Sequence, residues 1–287
     1  MANPPLTATL PVVCPDRPGI VAAVSRFVFE GGGNIIHADQ HTDPEEGVFL
    51  QRVEWEMEGF SHDREETIAA FRPIAEAFEM QWRIRFSDET ARIAVMVSRE
   101  GHCMYDLLAR RKMGEVRAEI PIVISNHPDL GEGAEQFGAE FRHLPVTADS
   151  KPAQERAVLD LLDRHDIDLV VLARYMQILT PDFVSRFPRR IVNIHHSFLP
   201  AFAGARPYHK AYERGVKIIG ATAHYVTDRL DEGPIIDQDV VRASHRDTVA
   251  DLIAKGRDLE KVVLARAVLL HLEHRVLVYG NKTVVFD

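Results

Sequence analysis

The amino-acid sequence predicts an α/β protein built from two domains. Its 287 residues are nearly twice the usual length of one domain, about 150 residues. Strand-like and helix-like stretches follow the order β-α-β-β-α-β before residue 88 and alternate as β-α units after it. The first order is typical of a small antiparallel sheet with two helices. The second is typical of a mostly parallel sheet with right-handed crossovers.

The first domain begins with an apolar, β-rich stretch from Thr7 to Cys14, which ends in the Pro-Asp-Arg-Pro-Gly segment of residues 15–19. Prolines and a glycine favour a turn there, and Pro18 can open a helix. The helix predicted over Ile20 to Phe29 has one apolar face and ends at the three glycines of residues 31–33. Two strands, a helix and a last strand complete this domain: Asn34 to His41, Val48 to Glu56, Glu65 to Phe78, and Gln81 to Phe86.

A short polar stretch, Ser87 to Thr90, separates the two sets of elements. We therefore predict domains at residues 1–87 and 88–287. Open parallel sheets bind ligands at the carboxyl ends of their strands, so polar residues at those ends are candidates for a site. The elements predicted for the second domain are strands Arg92 to Val97, Ile120 to Ser125, Leu169 to Ala173 and Ile191 to His195, and helices Tyr105 to Arg111 and Gln154 to His165. A two-residue hairpin turn is also predicted at Gly280-Asn281.

Charge and composition exclude several classes of function. The chain has 34 basic and 43 acidic residues and a net charge of -9, without a Lys/Arg stripe, so we expect no nucleic-acid partner. It has neither a signal-like start nor eighteen uncharged apolar residues in a row, which predicts a cytoplasmic protein without a membrane segment. Cys14 and Cys103 stand far apart, so we expect neither a disulfide framework nor a zinc ribbon.

Roughly the first 85 residues resemble an ACT domain, a small ferredoxin-like module that commonly binds an amino acid. The resemblance rests on Asp16-Arg17-Pro18-Gly19-Ile20 at the first strand-to-helix turn and on Gly33-Asn34-Ile35 after the first helix. A helix start exposes backbone N–H groups that suit a carboxylate ligand. The alternative is a Pro-Gly segment that only makes a tight connection. The candidate regulatory amino-acid site comprises Asp16, Pro18, Gly19 and Asn34.

The densest set of chemically active side chains lies at the end of the strand Ile191 to His195. Asn193 and His195 are two residues apart, so their side chains project from the same face of the strand and can act on one atom. Leu199-Pro200 and Gly204 then turn the chain away. This sequence predicts that the pair lies at the end of the strand rather than inside the sheet.

This segment and the stretch from Gly220 to Gly233 resemble the signature of the folate-dependent formyltransferases, whose catalytic domain is Rossmann-like. The matching residues are Asn193-Ile194-His195, Ser197, Leu199-Pro200, Gly204, Gly220, Thr222, His224 and Asp231-x-Gly233. The resemblance spans Ala91 to Asp287 and implies a catalytic trio of Asn193, His195 and Asp231. It also implies a folate pocket that includes Arg174, Tyr175, Met176, Gln177, Leu179, Gly204, His224, Val226, Thr227, Asp228 and Leu230.

These residue types suit attack on a formyl carbon. The tetrahedral oxyanion needs hydrogen-bond donors, and the Asn193 amide and a protonated His195 can supply them. Asp231 can accept a proton from water, and it can hold His195 charged and oriented. No histidine pair has the spacing of a metal site, so we expect no metal.

Two departures from the formyltransferases favour water as the acceptor. A transferase that acts on a phosphorylated amine needs a loop that binds the phosphate. The corresponding loop of this chain, Val97 to Cys103, keeps one glycine and contains the acidic residue Glu100. His196 stands where the transferases usually carry proline, and our hypothesis is that it orders the hydrolytic water. With its ACT-like module, the chain resembles the formyltetrahydrofolate deformylases along its full length. The resemblance implies hydrolysis of 10-formyltetrahydrofolate to formate and tetrahydrofolate, without a separate cofactor, in one-carbon and purine metabolism.

Three alternatives remain at this point. A glycinamide ribonucleotide formyltransferase would need phosphate binding by the altered loop. A formyltransferase acting on transfer RNA would need a basic carboxy-terminal domain, which this acidic chain lacks. A non-catalytic folate and amino-acid sensor would not need the trio. Because edge strands of ACT-like sheets often pair between subunits, we also expect a homo-oligomer, either a dimer or a tetramer.

Overall fold

The computed structural model of the chain describes residues 5–200 and 207–286. It divides into two compact units, one of Met1–Thr90 with Glu273–Asp287 and one of Ala91–Leu272. Each unit has its own apolar core. Among the residues that the structure describes, no helix has both the length and the apolar character needed to cross a membrane.

The first unit contains the predicted βαββαβ arrangement. Its sheet is antiparallel with the strand order β2-β3-β1-β4, and β5 also pairs with β1. The last predicted strand is split into two short strands. The elements are β1 (Thr7–Pro15), α1 (Ile20–Glu30), β2 (Asn34–Asp43), β3 (Val48–Glu56), α2 (Arg64–Ala77), β4 (Gln81–Trp82) and β5 (Arg85–Phe86).

The two helices of this unit begin in different ways. Gly19 precedes α1 with φ 98°, a left-handed conformation that strains any residue with a side chain. Asp63 caps α2 by accepting a hydrogen bond from the Glu66 N–H, and the Glu66 side chain accepts one from the Asp63 N–H. This reciprocal pair is a capping box. Apolar side chains of both helices pack on one face of the sheet around Val24, Trp55 and Phe71.

The second unit is the predicted mostly parallel sheet, with the strand order β12-β11-β10-β9-β6-β7-β8. The strands from β10 to β8 along this order are parallel, and β11 and β12 are antiparallel additions. The elements are β6 (Ala91–Val97), α3 (His102–Met113), β7 (Ala118–Ser125), α4 (Gly131–Gln136), β8 (Glu140–His143), α5 (Lys151–Arg164), β9 (Leu169–Leu172), α6 (Pro181–Arg186), β10 (Ile191–His195), α7 (Pro207–Arg214), β11 (Ile218–Tyr225), β12 (Ile235–Arg242) and α8 (Val249–Leu272).

The strand order places three strand ends next to one another. β6, β9 and β10 are consecutive neighbours in the sheet and parallel, so the segments that follow them share one edge. Ser98 follows β6, Arg174 lies two residues after β9, and His196 follows β10. The α/β fold class is confirmed. Residues that follow three neighbouring strands lie at the sheet edge where we expected the site.

A carboxy-terminal hairpin, β13 (Val276–Tyr279) and β14 (Lys282–Val285), belongs to the first unit. The sequence analysis assigned these residues to the second domain. In the structure Leu277 packs in one buried cluster with Leu50, and the Tyr279 hydroxyl donates to Asp43 Oδ2 at 3.0 Å. The turn itself was predicted at Gly280-Asn281, but its packing partners are more than two hundred residues away in sequence.

Candidate active site

Asn193, His195 and Asp231 lie together beside the end of β10. Asp231 Oδ2 is 3.4 Å from His195 Nδ1, and Asp231 Oδ1 is 3.7 Å from Nε2 of His224. Asn193 Nδ2 lies 3.1 Å from the same His224 nitrogen. His195 and His224 are buried, and the Asp231 side chain is 22% exposed. The residues of the predicted trio are therefore neighbours, and His224 links Asn193 to Asp231.

Register and loop geometry produce this arrangement. β10 pairs with β11 so that Asn193 is opposite His224 and His195 is opposite Thr222. The loop between β11 and β12 then brings Asp231 back to His195, with Asp231 itself at φ 56°. A left-handed conformation is uncommon outside glycine, and aspartate tolerates it better than most residues do.

The two histidines keep Asp231 ionised. Its pKa lies well below its ordinary value, because the hydrogen bond from His195 and then that from His224 outweigh the opposing effect of burial. A carboxylate that holds its charge stabilises a protonated imidazole beside it. His195 presents Nδ1 to Asp231, while its buried Nε2 has no hydrogen-bond partner in the described part of the chain. That nitrogen is free to donate to a substrate.

Thr222 fixes the turn that follows His195. Its buried hydroxyl donates to the Ser197 carbonyl at 2.9 Å and accepts from the Leu199 N–H at 3.0 Å. Gln238 Nε2 donates both to this hydroxyl, at 2.9 Å, and to the Leu199 carbonyl, at 3.1 Å. The sequence motif contained Thr222 without a role, and Gln238 was missed because β12 was not predicted.

His196 is stacked against His195. The ring centroids of His195 and His196 are 5.1 Å apart at an interplanar angle of 27°, and the Tyr208 ring lies 6.2 Å from His196 on another side. Burial, followed by the positive charges of Arg174 and His195, lowers the pKa of His196 to about 4. His196 is therefore neutral near pH 7 and can both donate and accept a hydrogen bond.

The lowered pKa of His196 predicts a pH effect on stability. An unfolded chain binds a proton at His196 near the ordinary value of 6.5, whereas the folded chain resists protonation until about pH 4. The contribution of His196 to stability is therefore present in full above pH 6.5 and is lost as the pH falls from 6.5 towards 4. We expect the unfolding midpoint in urea to fall less between pH 7 and pH 5 in His196→Gln than in the unsubstituted chain. Equal losses in the two proteins would contradict the prediction.

Most of the residues predicted to bind folate fall on two loops. Arg174, Tyr175, Met176, Gln177 and Leu179 lie between β9 and α6, and Val226, Thr227, Asp228 and Leu230 lie between β11 and β12. The Tyr175 ring is buried, with its hydroxyl accepting from Gln154 Nε2 at 3.0 Å, whereas Met176 and Leu230 are 57% and 61% exposed. Gly204 lies outside the described residues. Folate binding by these loops stays a prediction.

The candidate regulatory residues are not brought together within one copy of the chain. Asp16, Pro18 and Gly19 follow the end of β1, at which Pro15 pairs with Val48. Asn34 begins β2, and its side chain donates to Glu56 at 2.9 Å. Because Glu56 pairs with Thr7 at the start of β1, Asn34 and the Asp16 turn lie at opposite ends of the sheet. About 25 Å of strand separates them.

Among the described residues, one group of three potential metal ligands stands close together: His102, Cys103 and Glu260. His102 Nε2 is 2.8 Å from Glu260 Oε2, which is a hydrogen-bond distance. The Nε of Arg174 lies 3.4 Å from the same oxygen, and its positive charge disfavours a bound cation. Burial also raises the pKa of Cys103 well above its ordinary value, which disfavours the thiolate that metals prefer.

Comparisons with known proteins agree with this architecture. A family model described as formyl transferase matches residues 91–268, and a model described as ACT domain matches residues 8–76. A glycinamide ribonucleotide transformylase from Symbiobacterium toebii covers 70% of this chain and 97% of its own, at 34% identity and a TM-score of 0.67. The fold and site thus define a formyltransferase-type catalytic domain, here preceded by an ACT domain.

The similarity to one group extends over nearly the whole chain. A formyltetrahydrofolate deformylase from Synechocystis is 63% identical over 98% of this chain and 99% of the relative. One from Bacillus subtilis is 52% identical over 96% and 92%. The crystal structure of a formyltetrahydrofolate deformylase from Pseudomonas syringae has a TM-score of 0.97 at 49% identity, covering 99% of this chain and 95% of that one. This chain belongs to the formyltetrahydrofolate deformylase family.

Proposed function

We propose that the chain hydrolyses 10-formyltetrahydrofolate to formate and tetrahydrofolate. The observation that carries the proposal is the contact between His195 and Asp231 beside Asn193, in a chain that matches deformylases over nearly its whole length. Formate released in this way would supply purine synthesis, and the reaction would balance the one-carbon folates in the cytoplasm. The folate is the substrate, and the proposed reaction uses only side chains of the chain and water.

Each step has a residue in place. Water attacks the formyl carbon, and its proton passes to Asp231, directly or through a second water. The Asn193 amide and His195 Nε2 donate hydrogen bonds to the oxyanion that forms. When the C–N bond breaks, His195 gives its proton to the leaving nitrogen of the folate. The proton that Asp231 accepted then returns to His195 Nε2 through water, because Nδ1, 3.4 Å from Asp231, still carries its own proton, and formic acid ionises to formate.

The lowered pKa of Asp231 favours one of its two expected tasks. A carboxylate that is hard to protonate is a weak base, but it strongly stabilises the positive charge on His195. We therefore assign the larger part of its effect to holding a protonated His195 in place. Neutral His196, stacked on His195, is our candidate for orienting the attacking water, and unchanged hydrolysis in His196→Pro would refute that role.

The loop after β6 supports water as the acceptor. Ser98 Oγ donates to Asn126 Oδ1 at 2.7 Å and accepts from the Met176 N–H at 2.9 Å. The Glu100 carboxylate pairs with Arg257 at 2.6 Å. The polar groups of this loop are thus engaged within the chain, and the acidic residue disfavours a phosphate.

The ACT domain is proposed to bind an amino-acid effector between two copies of the chain. Asp16 and Asn34 lie at opposite ends of one sheet, so a ligand that contacts both residues must take them from different copies. β2 lies at an edge of this sheet, where a strand of a second copy can pair with it. A homo-oligomer, as a dimer or a tetramer, would provide such a second copy.

The deciding experiment follows formate and tetrahydrofolate release from 10-formyltetrahydrofolate by the purified full chain. We expect release at the same rate with and without glycinamide ribonucleotide. Turnover that requires the ribonucleotide would make the protein a transferase and overturn the proposal. Folate binding without turnover would favour the sensor alternative.

A further inference from the structure

Side chains of α5 hold the segment between β9 and α6. This segment, residues 173–180, contains no helix or strand, so its backbone groups need partners outside regular structure. We call it the 173–180 loop. Glu155 accepts hydrogen bonds from the Thr180 N–H, at 3.0 Å, and from the Thr180 hydroxyl. Gln154 Nε2 donates to the Tyr175 hydroxyl at 3.0 Å.

A third side chain of α5 and a residue after β6 complete the contacts of this loop. Lys151 Nζ donates to the Ile178 carbonyl. Positions 151, 154 and 155 are three and four residues apart, so the three side chains share one face of the helix. Ser98 Oγ accepts from the Met176 N–H at 2.9 Å. The loop is therefore held at four of its residues before any ligand binds.

Glu155 is the unusual member of this set, because it is a buried acid. It is 6% exposed. Both of its hydrogen bonds come from Thr180, and no Lys, Arg or His side chain of the described residues forms an ion pair with it. Burying a carboxylate without a cation lowers the stability of a fold. A residue that is kept at a cost in stability points to a role in function.

Thr180 connects this carboxylate to the end of the loop. Its hydroxyl donates to Glu155 Oε2 and accepts from the Phe183 N–H at 3.3 Å, which caps α6. A hydroxyl has one proton, so the bond to Glu155 decides where that proton points and leaves the lone pairs for the helix. Glu155 thus fixes both the backbone and the side chain of the last loop residue.

The loop lies where a ligand would bind. It follows β9, which is parallel to β10, the strand that carries Asn193 and His195. Met176 and Ile178 are 57% and 59% exposed, so apolar side chains of the loop remain available for contact. A loop whose backbone is held in advance loses little conformational freedom when a ligand binds, and the affinity is higher for that reason.

We propose that Glu155 is a positioning residue for folate binding: through its two hydrogen bonds to Thr180, it holds the 173–180 loop in the shape that the folate needs. This inference rests on the proposed function, and on the prediction that this loop contacts the folate. Loss of Glu155 lowers the fraction of molecules that have a competent loop, and the apparent affinity for folate falls by the same factor. The chemical step at His195 is not affected.

The test uses the full chain with Glu155→Met, because methionine has a similar length and no carboxylate acceptor. The KM for 10-formyltetrahydrofolate should rise about tenfold, with kcat changed by less than about twofold. Asp160→Met is the matched control, since Asp160 is an exposed carboxylate of the same helix, and it should keep both constants. An unchanged KM in Glu155→Met, or a fall in kcat without a rise in KM, would overturn the proposal.

Variants of Thr180 cover the case in which Glu155→Met does not fold. Thr180→Val removes the hydroxyl and should raise KM, whereas Thr180→Ser keeps the hydroxyl and should keep KM. Equal constants in these two variants would refute the inference. Where Glu155→Met folds, adding Thr180→Val should raise KM no further, because both changes break the same contact. Multiplied effects would mean that Glu155 does not act through Thr180.

A binding measurement separates this inference from the proposed hydrolysis. Calorimetric titration with tetrahydrofolate needs no turnover, and Glu155→Met should bind it about tenfold more weakly than the unsubstituted chain does. Equal affinities would overturn the role of Glu155. A failure of the hydrolysis itself would be seen as absent formate release in the unsubstituted chain.

Discussion

Replacing Asp231 with asparagine should lower the rate of formate release by about a thousandfold and leave the protein folded. Removing a proton-transfer group or an electrostatic partner of this kind costs about 10²- to 10⁴-fold. The carboxylate lies 3.4 Å from His195 Nδ1 and 3.7 Å from His224 Nε2, so its loss removes the charge that orients both rings. Asparagine has nearly the same shape, which separates the loss of charge from a loss of packing.

The matched control is Asp258→Asn, the same change at an exposed carboxylate. It should keep the full rate. The rate of both variants is measured as steady-state formate release at saturating 10-formyltetrahydrofolate. Circular dichroism checks that both variants are folded. Should Asp231→Asn retain a tenth or more of the rate, Asp231 would not have the role assigned to it.

The same variant should alter the response to acid. The pKa of Asp231 is depressed below its ordinary value of 3.8, so its ionised form stabilises the fold above that value, and this contribution is lost as the pH falls below it. We therefore expect the unsubstituted chain to lose more stability than Asp231→Asn on acidification below about pH 4.

The sequence predicted those parts of the fold that depend on local pattern. Apolar runs such as Ala91–Val97 and Leu169–Leu172 gave strands of the correct parallel sheet. β8 reads Glu-Phe-Arg-His and was missed, because a four-residue edge strand with two exposed residues has little apolar signal. The hairpin turn at Gly280-Asn281 was predicted, but its assignment to the first unit depends on Leu50 and Asp43, which no local pattern connects to it.

The site residues also divide into those that local spacing predicts and those that only the fold brings together. Asn193 and His195 are two residues apart on one strand, so their shared face followed from spacing alone. Asp231 was reached through the family resemblance, since its contact with His195 depends on a loop that returns from β11. Glu260 could not be found, because it is 158 residues from His102 in sequence and lies on a long helix among other charged residues. Only the fold brings His102, Tyr208 and Arg174 to it.

Replacing Gly233 with alanine should lower the rate of formate release although Gly233 lies outside the proposed catalytic trio. A Cβ at this position would lie 1.8 Å from the carbonyl oxygen of Tyr225 and 3.3 Å from Thr227 Cγ2. The first contact is with backbone, which cannot rotate away, so the loop must open. The hydrogen bond from the Tyr225 N–H to the Pro234 carbonyl, 2.9 Å long, would be strained as well.

Opening this loop displaces Asp231, which precedes Gly233 by two residues. A misplacement of about 1 Å at a catalytic group can cost about a hundredfold in rate, and we expect a loss of that size in formate release. Overpacking of this kind should also lower the free energy of unfolding by about 1 to 3 kcal/mol, measured by urea denaturation.

Gly114→Ala distinguishes crowding from backbone strain. Gly114 ends α3 with φ 81°, and a Cβ there would meet no atom within 4 Å. Alanine at this position should cost about 1 kcal/mol or slightly more through the left-handed conformation and leave the rate unchanged. A Gly233→Ala protein with normal activity would mean that the loop tolerates a shift of Asp231. The 3.4 Å contact with His195 would then not limit the reaction.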